Sequence, residues 1–151
     1  MVELPPLDTP KRVKSVDGIP MNVMMGRISF IHTVLDTGSL IGENAMQVLH
    51  YLDSSGHDVY QDWLDRVRDI TGRVAIQRRI DRIVDTGNLG SHGFCRDGVW
   101  ELKINVGPGY RVYYVEMKKA VVLLFCGGTK RSQDRDITQA VKYWQDYQER
   151  S

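Results

Sequence analysis

The chain has 151 residues, 26% of them charged and 42% hydrophobic, with 20 lysines and arginines against 19 aspartates and glutamates. That length supports one domain around a single core, and the composition is ordinary for a globular protein. The longest apolar run, Ala120 to Cys126, falls well short of the ~20 residues of a membrane helix, and Cys95, Cys126 and four unclustered histidines make neither a disulfide framework nor a zinc site.

The first fifteen residues, MVELPPLDTPKRVKS, lack the apolar centre of a signal peptide, so a cytoplasmic location without a membrane partner is expected. Residues 1–45 read as an N-terminal extension. Pro5, Pro6, Pro10 and Pro20 make residues 1–20 irregular, residues 21–35 are apolar enough to dock as an extra helix or strand, and 37–44 is a loop. Met46 directly precedes the first periodic segment, so a genuine extension and a start at Met46 are both open.

From residue 46 the pattern sharpens into one domain, 46–151. QVLHYL reads as a strand. Asp58 is an N-cap, with Gln61 in capping-box position. Tyr60, Trp63, Leu64 and Val67 then share one helical face. Thr71-Gly72 breaks this helix (58–69) from a second (73–86) that carries Ile76, Ile80, Ile83 and Val84 and ends at Gly87. Residues 90–98 read as a loop containing His92 and Cys95. VWELKINV (99–106) and YRVYYVE (110–116) alternate as strands around a Gly-Pro-Gly turn. AVVLLFC is apolar on both faces, which marks an interior strand ended by Gly127-Gly128, and Ser132 caps a last helix carrying Ile137, Val141 and Trp144.

The order β-α-α-β-β-β-α predicts an α+β fold: a helical hairpin packed on one face of a small antiparallel sheet, with the other face open. Trp63, Leu64, Ile76, Ile80, Leu102, Ile104, Val112, Leu123 and Trp144 form the predicted core.

Charge is uneven. Between Lys103 and Arg135 seven basic residues face only Glu116 and Asp134. Strand parity sets Lys103, Arg111 and Tyr113 on one face, and Lys130 and Arg131 follow the next strand. Such a patch suits phosphates, with the tyrosine stacking on a base. The other reading of the same spacing is an Arg111–Glu101 ion pair with Tyr113 as sheet packing.

The segments WLDRVRD, RRIDRIVDTGNLG, GVWELKINVGPGYRVYY and VVLLFCGGTKRSQDRDI, with the following AVKYW, make residues 46–151 resemble the RelE/ParE superfamily of type II toxin–antitoxin toxins. Within it they are most similar to the phage-derived addiction module killer branch. The resemblance implies a toxin that cleaves mRNA on the ribosome with no metal or other cofactor. It also implies silencing by an adjacently encoded antitoxin carrying a helix-turn-helix domain. ParE-like members instead inhibit DNA gyrase without catalysis, and a degenerate inactive relative is a third possibility. Arg111 occupies the arginine of the GYRVYY motif, implied to meet the scissile phosphate. Lys103 stands where relatives carry arginine, which keeps the charge but not the bidentate fork. Lys130 or Arg131 supplies the basic residue after the double glycine. The terminal-helix tyrosine of some RelE proteins falls nearest Ile137, leaving its role unfilled or passed to Tyr113.

Overall fold

The computed structural model describes residues 11–12, 23–25, 46–118 and 120–151. Most of the segment 1–45 therefore lies outside the described residues, including the 37–44 loop. Within it two short strands are described, β1 (Lys11–Arg12) and β2 (Val23–Met25). The second agrees with the docking expected of 21–35, and the first interrupts the irregular reading of 1–20.

From residue 46 the chain is α+β, with five strands in a mixed sheet and three helices. The strands are β3 (Gln47–Tyr51), β4 (His92–Arg96), β5 (Val99–Ile104), β6 (Tyr110–Glu116) and β7 (Val121–Thr129). The helices are α1 (Val59–Arg66), α2 (Ile70–Thr86) and α3 (Gln133–Arg150), the last preceded by a 3-10 turn at Lys130–Ser132. With the two short strands the sheet order is β1-β2-β3-β7-β6-β5-β4.

Local chemistry explains the hairpin. Asp58 Oδ1 accepts the Gln61 amide at 3.0 Å, while the Gln61 side chain turns to Asp65 (2.9 Å) and leaves the capping box half made. α2 starts three residues earlier than Thr71-Gly72 predicts. The break falls at Val67–Asp69, and Gly72 lies inside the helix because the Tyr110 ring occupies the space of a side chain there.

Three expectations are corrected. The sheet is not wholly antiparallel: β3 runs parallel to β7, with Leu49 opposite Leu123. The α1–α2 crossover makes this possible by carrying the chain over one face. The 90–98 segment is not a loop, because β4 fills it and pairs with β5, so His92 and Cys95 are strand residues. Nor do Gly127 and Gly128 end β7. They continue it, with the Trp63 ring lying on Gly127 and Asp136 and Ser132 on Gly128.

The fourth correction bears on function. α1 and α2 cover one sheet face, burying Leu102, Ile104, Val112 and Leu124. The opposite face is not open. α3 lies on it, and Val99, Tyr113, Leu123 and Phe125 pack against Ala140, Val141 and Tyr147. Leu64, Ile76, Ile80, Leu102, Ile104, Val112 and Leu123 are buried as predicted, while Trp63 and Trp144 are half-buried at the rims. Burial of β7 on both faces accounts for its unbroken apolar run.

Candidate active site

The Gly-Pro-Gly turn sets the register of β5 on β6, placing Lys103 opposite Arg111 and Glu101 opposite Tyr113. Arg111 in turn lies opposite Gly128 on β7. The 3-10 turn is tied to this hairpin by the Lys130 amide, which donates to Gly109 O at 2.7 Å. Lys130 and the Arg111 guanidinium therefore both border Gly109. Lys103 and Arg111 are thus cross-strand neighbours on one face, and Lys130 borders Arg111 at Gly109. Arg131 is exposed next to them and lines a depression of about 440 Å³ with Thr129, Ser132, Asp134 and Arg135.

Exposure within this cluster departs from expectation because α3 covers the face. Arg111 is 6% exposed. Its Nη1 donates to the Tyr110 carbonyl (3.1 Å), and its Nε lies 3.8 Å from Glu101 without a hydrogen-bond partner. Glu101 is buried too. It accepts twice from Gln133 Nε2, at 2.7 and 3.0 Å, and stands 4.0 Å from Lys103 Nζ. The Arg111–Glu101 pairing is therefore real, and Lys103, with 39% of its side chain exposed, is the accessible member of the strand pair.

Tyr113 does not join a nucleotide-facing surface. It is fully buried under α3, and its hydroxyl has no hydrogen-bond partner. Burial, then the charges of Glu101 and Asp136, push its phenol well above the ordinary tyrosine range. Ile137 packs on the α3-side core.

Sequence reasoning missed what the start of α3 contributes. Gln133 lies on the stripe that carries Ile137, Val141 and Trp144, so helical spacing alone places it against the sheet. Asp136 accepts from Ser132 Oγ at 2.5 Å and overlies Gly128. Both thiols are pushed up to about 12 by burial first, with Glu101 next for Cys95 and Asp136 for Cys126.

Lys103 and Arg111 flank the buried carboxylate of Glu101, and Lys130 and Arg131 lie in the adjoining 3-10 turn. Lys103, Lys130 and Arg131 are reachable from solvent, and Arg111 is buried against Glu101. Among the described residues no group of three His, Cys, Asp or Glu side chains is placed to hold a metal, and no helix is long and apolar enough to cross a membrane.

Comparison with known proteins adds a relative. Over 81 residues, 54% of this chain and 81% of the relative, the sequence is 40% identical to an uncharacterized protein of Haemophilus influenzae. The chain belongs to that protein's family. No family model matches the chain.

Proposed function

We propose that the chain is a RelE/ParE-type toxin, an endoribonuclease that cleaves mRNA on the ribosome without a metal and is silenced by an adjacently encoded helix-turn-helix antitoxin. The observation that carries this reading is the cross-strand pairing of Lys103 with Arg111, together with the approach of Arg111 and Lys130 to Gly109. The RNA supplies its own nucleophile. The 2′-oxygen bonds to phosphorus, the bond from phosphorus to the 5′-oxygen breaks, and the protein orients the backbone and stabilises the phosphorane charge. Arg111, Lys103, Lys130 and Arg131 bind that phosphate. The phosphate replaces Glu101 as the partner of Arg111, and Glu101 then accepts the 2′ proton. Lys103 or Lys130 returns a proton to the 5′-oxygen.

A second reading, a non-catalytic ParE-like inhibitor of gyrase, is favoured by the burial of Arg111 and Tyr113. Primer extension on mRNA translated in a cell-free system separates the two. The ribonuclease reading expects new 5′ ends that vanish with Arg111→Ala and fall sharply with Lys130→Ala. Absence of new ends alongside inhibited gyrase supercoiling overturns it. If neither appears, the chain is an inactive relative.

A further inference from the structure

A second surface lies at the hairpin-side edge of the sheet, on the face away from the Lys103 side chain. Arg79 and Arg82, one turn apart on α2, bring their guanidiniums together over Gly90. A side chain at Gly90 would meet Arg82 Nη2 and, at 3.0 Å, Arg79 Cζ. Arg79 is held rigidly, donating to Leu89 O (3.3 Å), Ser91 O (3.0 Å) and Lys103 O (2.9 Å). Among the described residues no carboxylate lies within ion-pair distance of either guanidinium, and the two like charges face each other. Burial, then the Arg82 charge, lowers the pKa of Arg79. An anion bridging the pair would remove that repulsion.

Aromatic rings continue from this pair. His92 Nδ1 lies 2.7 Å from Gly90 O, and the His92 ring stands 5.8 Å from Trp100. Phe94 meets Trp100 edge-on at 5.2 Å and is 59% exposed. Trp100 packs against the core and gives the row a fixed base. Exposed rings beside two facing guanidiniums are the chemistry of single-stranded nucleic acid binding, in which phosphates meet the cations and bases stack on the rings. An apolar protein partner would leave the two guanidiniums buried without counter-charge.

We propose that Arg79, Arg82, His92, Phe94 and Trp100 form a binding strip for single-stranded RNA, separate from the Lys103–Arg111 cluster. Its choice of RNA over DNA rests on the ribonuclease reading. The test is fluorescence anisotropy of the full chain with a labelled 2′-O-methyl oligouridylate, which lacks the attacking hydroxyl and so reports binding without cleavage. Phe94→Ala is expected to weaken binding about 5- to 100-fold, the range of one lost stacked base. Phe94→Tyr is expected to retain affinity, and Arg82→Ala to lower the salt slope by about one. Heparin, a polyanion without bases, is expected to bind Phe94→Ala as it binds the parent chain. Thermal melts of the variants check that each is folded. Failure of the parent chain to bind the oligonucleotide overturns the strip, as does unchanged affinity in both alanine variants or equal loss of heparin by Phe94→Ala. Loss of oligonucleotide binding in the variants, with no mRNA cleavage by the parent chain, keeps the strip and removes the ribonuclease reading. Cleavage with unaltered binding does the reverse.

Discussion

Arg111 and Glu101 face each other at 3.8 Å beneath α3, and neither charge has full access to water. Replacing Arg111 therefore acts twice. Arg111→Ala is expected to abolish mRNA cleavage and also to cost about 3 kcal/mol of stability, because it strands a buried carboxylate. Glu101→Gln in the same chain is expected to restore at least half of that stability and none of the cleavage. Urea melts beside primer extension measure both, and an unchanged urea midpoint for the single variant would show that the pair is not coupled. The face shared by Lys103 and Arg111 was legible in the sequence because β5 alternates strictly and the Gly-Pro-Gly turn sets β6 beside it. The burial of Arg111 was not, because alternation says which residues share a face and nothing about what lands on it. The same gap explains Tyr113, whose parity is right and whose exposure is not.

At the scale of elements, the sequence marked both hairpin helices, the β5–β6 pair and the interior strand β7. What hid β4 was its position at the sheet edge, where HGFCR alternates between half-buried and exposed positions without an apolar run. A readable signal lay next to it. Asp97-Gly98, both with positive φ, is a two-residue hairpin turn between β4 and β5. The start of α3 depends on a close approach of another kind. A Cβ on Gly128 would run into Asp136 Oδ2 and lie 2.8 Å from Ser132 Oγ. Gly128→Ala is expected to push the first turn of α3 off the sheet, break the Gln133–Glu101 contacts and cost about 1–3 kcal/mol. Faster amide exchange confined to residues 130–137 checks this, and uniform exchange along α3 would contradict it.

For the whole molecule, alkaline pH is the expected weak side. The thiols of Cys95 and Cys126 are pushed up to about 12, and buried Tyr60, Tyr113 and Tyr114 stand above the ordinary tyrosine range, in every case through burial first. The folded chain holds these protons more tightly than the unfolded chain. Their contribution is complete below the unfolded values, near 9 for a thiol, and drains away as pH climbs toward 12. Urea midpoints measured at about pH 8 and about pH 10.5 should fall between the two. A flat profile would mean that these groups reach water in the folded state. The parallel pairing of β3 with β7 has a consequence in time. Leu49 leaves the ribosome long before Leu123, the residue it lies beside. At about 5–20 residues per second the wait is about 4–15 s. Through that interval β3 lacks one of its two neighbours while β4, β5 and β6 are still being made. The nascent chain is then a client for any chaperone that holds short hydrophobic stretches, and completion of β7 is the event that releases it.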